Sequence, residues 1–167
     1  MTQKALFLDR DGVVNIDRAY VYRKEDFHFM EGIFDLCRAA KEKGYLVIIV
    51  TNQSGIERGY YTESDYATLT LYMLEQFEAQ GITIDDIYYC PYLKHEDRKP
   101  RPGMIIKAQK KFHIDLKASI MIGDKPRDLE AGQRAGIPVN LLIGDQPSPE
   151  IEPTARIQNL HQALAWL

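Results

Sequence analysis

The sequence predicts an α/β fold, a parallel sheet with helices on both faces, from three observations. Short apolar segments rich in β-branched residues alternate with segments whose apolar residues recur at helical spacing. That alternation runs the length of the chain without an internal repeat or a linker-like stretch, so a single domain over residues 1–167 is expected. Polar residues cluster where the first, second and fourth apolar segments stop, at Asp9, Thr51 and Asp124. Those are carboxyl ends of strands, the edge at which open parallel sheets bind ligands.

The elements follow in order. Ala5 to Leu8 reads as a buried strand that stops at Asp9-Arg10-Asp11-Gly12. Asp17 to Phe29 has no clean period and reads as a long loop near the site. Ile33, Leu36, Cys37 and Ala40 share a helical face that Gly44 terminates. Tyr45 to Val50 is the second strand and hands over to Thr51-Asn52-Gln53-Ser54-Gly55. Thr62, with Asp65 three residues on, has the form of a capping box for a helix with Tyr66, Leu69, Met73 and Phe77 on one face. Ile87 to Tyr89 is a short third strand. Pro102 suits the first turn of a helix that turns Ile105, Ala108 and Phe112 to the core. Ser119 to Ile122 is the fourth strand; a helix with Leu129, Gly132 and Ala135 leads from it to a fifth, Val139 to Ile143. Ala155 to Ile157 fits a last edge strand, and Asn159 caps a terminal helix through Leu160, Leu164 and Leu167.

Composition narrows the function. A net charge of −3 argues against nucleic acid as a partner held by overall positive charge. Two cysteines make no disulfide framework, and Cys37 on an apolar helical face reads as a buried thiol. With only four residues before the first strand there is no room for a signal peptide, and no apolar run approaches the roughly 20 residues of a membrane span. A cytoplasmic protein without a membrane partner is expected.

The stretch Asp9-Arg10-Asp11-Gly12 carries the chemistry. Strand side chains alternate faces, so continued strand geometry would point Asp9 and Asp11 the same way. Carboxylates that close repel unless one is protonated or a cation lies between them, and hard cations such as Mg2+ prefer oxygen ligands. Alone, the motif reads more readily as an acidic turn that ends a strand. In company with Thr51, Lys99 and Gly123-Asp124 with Asp128, it resembles the four ordered motifs of the haloacid dehalogenase-type phosphatases. The resemblance runs from about residue 5 to the terminal helix.

What the resemblance implies is specific. The fold is Rossmann-like, and the enzyme a phosphoric monoester hydrolase with Mg2+ held by Asp9, the backbone carbonyl of Asp11, and Asp124. Asp9 is the expected nucleophile and Asp11 the acid and base, with Thr51 and Lys99 as the further catalytic residues. Asp17, Arg18, Ala19, Tyr20, Thr51, Asn52, Gln53, Ser54, Arg98, Lys99 and Lys125 map onto substrate-contacting positions, although Ala19 stands where glycine is common. Asp128 is left with two roles, holding Lys99 or a metal-bound water, or favouring the start of its helix. Arg10, Arg101 and Arg127 read as solvated surface charges.

Within the family, Tyr88-Tyr89-Cys90-Pro91 and Arg98-Lys99-Pro100 with Pro102-Gly103-Met104 resemble the members that act on a heptose bisphosphate in surface-glycan synthesis. A small phosphorylated sugar is the implied substrate; members acting on histidinol phosphate or another small metabolite are the alternative. Many relatives carry a zinc loop between the third strand and the lysine motif. Here Tyr92 replaces its histidine and Leu93 to Arg98 has no cysteine, so no zinc is expected. One loop, one helix and one strand fill each gap between motifs, so an open site with no cap domain is expected, in a monomer.

Overall fold

Residues 2–167 are described by a computed structural model. Six parallel strands, β1 (Lys4–Leu8), β2 (Tyr45–Asn52), β3 (Asp86–Cys90), β4 (Ile120–Gly123), β5 (Val139–Ile143) and β6 (Ala155–Ile157), form one sheet in the order β3-β2-β1-β4-β5-β6. Four helices, α1 (Ile33–Glu42), α2 (Glu63–Ala79), α3 (Gly103–Phe112) and α4 (Pro126–Ala135), connect them. Alternation along each strand divides the core into two layers. Leu6, Leu8, Val47 and Ile49 face α1, α2 and the C-terminal segment, and Ala5, Phe7, Ile48 and Val50 face α3 and α4. Strand order reverses at β1, which pairs with β2 on one side and β4 on the other, and this is the switch point of the sheet.

The apolar faces read from sequence are the buried ones: Ile33, Leu36, Cys37 and Ala40 on α1, and Tyr66, Leu69, Met73 and Phe77 on α2. Burial pushes the Cys37 thiol up to about 12, as an inert core thiol requires. Thr62 closes the capping box with Asp65, each side chain accepting the other's amide. Among the described residues no helix is long and apolar enough to cross a membrane, and no separate cap lies over the carboxyl edge of the sheet.

Several elements differ in detail from expectation, β3 and β4 by a residue at their ends. Strand β2 runs on through Thr51 and Asn52, because those residues pair with Tyr89 and Cys90 of β3. Pro102 occupies the cap position and α3 starts at Gly103. The terminal helix is a 3-10 helix, Leu160–Trp166, with Leu160 and Ala163 buried at its three-residue period and Leu164 and Leu167 only partly covered. The long first loop is ordered at its base: Ile16 donates to the His28 carbonyl and Met30 to that of Val14 (2.8 and 2.9 Å), while Val21 and Phe27 anchor the excursion in the core.

Candidate active site

Strand β1 stops at Leu8, and the chain turns at Arg10, whose carbonyl accepts the amides of Val13, Val14 and Asn15 at 2.8–3.2 Å. The turn, not continued strand geometry, therefore disposes the two carboxylates. Asp9 keeps strand pairing through its amide to Ile122 (3.1 Å) and sits on the floor. Asp11 is lifted onto the wall, where its Oδ1 accepts from Arg10 (3.1 Å) and Asn15 (3.0 Å) and its Oδ2 from Gln53 (3.0 Å). Gly12 makes this possible: its φ is +95°, and a Cβ there would lie 2.1 Å from Asp124 Oδ2.

The floor is a network around Lys99, which is 2% exposed. Its ammonium donates to Asp9 Oδ1 (2.8 Å) and the Val50 carbonyl (2.8 Å) and pairs with Asp128 Oδ1 (2.7 Å), so all three protons are engaged. Burial alone would lower the Lys99 pKa, but Asp128 and Asp9 outweigh it and hold the ammonium above its ordinary range. Burial, then Asp128, push the Asp9 carboxyl well up, with Lys99 opposing. Asp124 is raised by the same two causes, with Lys125 opposing.

Asp128 fills both roles left open for it. Its Oδ2 accepts the Lys125 amide at 3.1 Å at the start of α4, while its Oδ1 holds Lys99. Lys99 is fixed at its backbone as well, where Asn52 Oδ1 accepts its amide and Asn52 Nδ2 donates to its carbonyl (3.0 and 3.1 Å).

Carboxylate oxygens of Asp9, Asp124 and Asp128 lie within 4.8 Å of one another. Asp128 has spent both of its oxygens, whereas Asp124 Oδ1 is buried and has no partner among the described residues. An orphaned carboxylate oxygen beside a second carboxylate fits a hard cation, so the donor set suits Mg2+ through Asp9 and Asp124.

The cleft above this floor encloses about 280 Å³. Of the substrate positions expected from sequence, Asp17, Ala19 and Tyr20 line it from the first loop, Asn52, Gln53 and Ser54 from the end of β2, and Arg98, Lys99 and Lys125 from the opposite side. Arg18 and Thr51 do not. Arg18 is exposed and outside the lining, because left-handed residues at Ala19 (φ 56°) and Tyr20 (φ 58°) turn the chain directly after it. Thr51 lies within β2, 1% exposed, its Oγ1 accepting from Gln53 Nε2 at 2.9 Å. The positive φ of Ala19 is one that glycine adopts more readily than alanine.

Other residues around the cleft escaped the sequence reading. Arg10 is buried, not solvated: it donates to the Val21 carbonyl at 2.9 Å and ties the first loop to the acidic turn. Arg127, also read as a solvated charge, lines the cleft, and so do Arg58 and Tyr61. The Tyr61 hydroxyl donates to Gln53 Oε1 and so orients the amide that donates to Asp11; burial first raises its pKa to about 12. The only sequence signal was the run of cations around the motifs.

The loop before Arg98 is tied down by protein groups. Lys107 pairs with Asp97, the Asp97 amide donates to His95 Nδ1 (3.0 Å), and the Arg98 amide donates to the His95 carbonyl (3.1 Å).

A charged floor with cations in the cleft above it, at the switch point of a doubly wound sheet, fits an α/β enzyme for an anionic substrate. The family described as haloacid dehalogenase-like hydrolase matches residues 14–142, and the chain belongs to it. It is 54% identical over 147 residues to a D-glycero-alpha-D-manno-heptose-1,7-bisphosphate 7-phosphatase of Campylobacter jejuni, covering 87% of this chain and 86% of that one. A D-glycero-beta-D-manno-heptose-1,7-bisphosphate 7-phosphatase of Helicobacter pylori is 45% identical over 170 residues, 99% of this chain and 98% of its own. Among solved structures, a D,D-heptose 1,7-bisphosphate phosphatase from B. bronchiseptica complexed with magnesium and phosphate superposes with a TM-score of 0.86 at 28% identity, over 98% of this chain and 97% of that one.

Proposed function

We propose that this chain is a magnesium-dependent phosphatase that removes the 7-phosphate of D-glycero-D-manno-heptose 1,7-bisphosphate, as a single-domain monomer in the cytoplasm, on the route to activated heptose for surface glycan. The observation that carries the reading is Asp9 at the end of β1, with Lys99 Nζ 2.8 Å from its Oδ1 and a buried, unpartnered oxygen of Asp124 nearby. Similarity along nearly the whole chain to proteins named for that activity supports the substrate. Those relatives are named for both anomers, and the reading is for the bisphosphate common to them.

The chain's own residues account for the chemistry. The Asp9 carboxylate attacks phosphorus, and the bond from phosphorus to the sugar oxygen breaks as that oxygen takes a proton from the Asp11 carboxyl. Asp11, now a carboxylate, removes a proton from a water that attacks the aspartyl-phosphate. Inorganic phosphate leaves and Asp9 returns as carboxylate. Gln53, oriented by Tyr61, holds Asp11 over this step. Lys99 has no spare proton before the reaction, but phosphorylation of Asp9 removes the charge its ammonium was paired with and frees one N–H for a phosphoryl oxygen. Asp9, Asp124 and the Asp11 carbonyl would hold magnesium, whose positive charge would offset repulsion between these carboxylates and the phosphate. Histidinol phosphate carries an ammonium where the bisphosphate carries a second phosphate, and the guanidiniums of Arg58, Arg98 and Arg127, which have no ion-pair partner among the described residues, favour the phosphate.

Purified protein assayed against both heptose bisphosphate anomers, histidinol phosphate and p-nitrophenyl phosphate tests the reading. A heptose bisphosphate should be the best substrate, and excess chelator should abolish turnover. A preference for histidinol phosphate would overturn the substrate; full activity in chelator would overturn the mechanism.

A further inference from the structure

Three arginines, Arg58, Arg98 and Arg127, line the cleft without a carboxylate within 4.0 Å among the described residues, unlike Arg10, Arg23, Arg38 and Arg134, which are paired. Arg58 leaves the loop after β2, Arg98 precedes the lysine motif, and Arg127 opens α4, so three separate connections converge. Arg98 Nη1 is buried with no hydrogen-bond partner, although a guanidinium N–H hidden from water ordinarily has one. The Arg58 guanidinium carbon stands 6.0 Å from the centroid of the Tyr20 ring, and its Nε donates to Ser54 Oγ at 3.4 Å, so neither contact supplies a compensating anion. Burial first, then Arg127 and, more weakly, Arg58 hold the Arg98 pKa down, which places the Arg98 guanidinium in the field of the other two. Like charges gathered on one rim without counter-charge are costly to the empty protein and are relieved by an anion.

The rim is distinct from the floor. Lys99 turns inward to Asp9 and Asp128, while its neighbour Arg98 lies among cations. The reacting phosphoryl belongs with Asp9, which leaves the guanidiniums for an anion elsewhere on the same substrate. We propose that Arg58 and Arg127 are specificity-determining residues that complete, with Arg98, a site for the second, unreacting phosphate. The proposal rests on the heptose bisphosphate reading above. Guanidiniums suit this task because their planar donor pairs match phosphate oxygens.

The test compares Arg127→Gln, Arg58→Gln and Arg127→Lys with the unaltered protein on heptose 1,7-bisphosphate and on heptose 7-phosphate, which lacks the second phosphate. Both side chains are exposed, so the variants should fold normally, checked by unchanged thermal unfolding. Each glutamine variant should lose roughly 10- to 150-fold in kcat/KM on the bisphosphate, the usual scale for one hydrogen bond to a charged group. On the monophosphate each should stay within about threefold, and Arg127→Lys should recover part of the loss. Equal losses on both substrates, or no loss on the bisphosphate, would overturn the assignment while leaving the phosphatase intact. If the unaltered protein does not prefer bisphosphate to monophosphate, the substrate reading itself fails and takes this site with it.

Discussion

On the floor of the cleft every cation has its anion. Lys99 is buried between Asp9 and Asp128 and fixed again at its backbone by Asn52. On the rim, Arg58, Arg98 and Arg127 line the cleft with no ion-pair partner among the described residues. The contrast teaches how one cleft divides its labour. Groups that do chemistry must be held before substrate arrives, and buried charges persist only when paired. Groups that select a substrate gain most by leaving a charge for the substrate itself to neutralise.

The sharpest break between the two regions is turnover. Asp9→Asn should lose activity by roughly 10⁴-fold or more with the fold retained, since an amide is a poor nucleophile. Asp11→Asn should cost about 10²- to 10⁴-fold, the range of general acid–base catalysis. Steady-state kinetics on any phosphomonoester reads both, and near-normal turnover in Asp9→Asn would remove the floor from the mechanism.

Stability separates the regions next. Lys99→Met leaves Asp9 and Asp128 facing each other uncompensated, and breaking a buried pair costs about 3–5 kcal/mol. Exposed Arg127→Gln should change stability by no more than about 0.5 kcal/mol. Urea unfolding of the two variants measures the difference, and equal stabilities would mean that the floor is less tightly coupled than its distances indicate.

Selectivity follows. Arg98→Ala should lower kcat/KM on the bisphosphate by roughly 10- to 150-fold and on p-nitrophenyl phosphate far less, because remote binding energy is used to align the reacting group. Equal losses would assign Arg98 to the floor. The smallest effect is at Ala19, whose left-handed backbone favours glycine. Ala19→Gly should relax the loop by up to about 1 kcal/mol, partly cancelled by greater freedom in the unfolded chain. Thermal unfolding should show a shift of a few degrees at most, and a marked loss of stability would mean that the Ala19 methyl packs in a way that outweighs its backbone.

Most of the architecture was legible in the sequence, because burial writes a period. The faces of α1 and α2, the cap at Thr62 and the placing of Asp9 and Asp124 at strand ends all follow from local pattern. Boundaries slipped where long-range pairing outvoted composition: Thr51 and Asn52 look like loop residues but belong to β2 because β3 lies beside them. Arg10 and Arg127 show the same limit for charge. Both looked like solvated surface residues; Arg10 is instead buried against the Val21 carbonyl, whereas Arg127 is exposed as expected but lines the cleft.

By itself the sequence determined the parallel sheet, its layers, and the residue types gathered at its carboxyl edge, since these rest on alternation, helical spacing and turn chemistry within short stretches. Only the tertiary structure decided which carboxylate holds a lysine, which keeps an oxygen free, and which arginines are left unpaired. Those outcomes depend on distances between side chains from different connections, and charge interactions change steeply over a few ångströms once water is excluded.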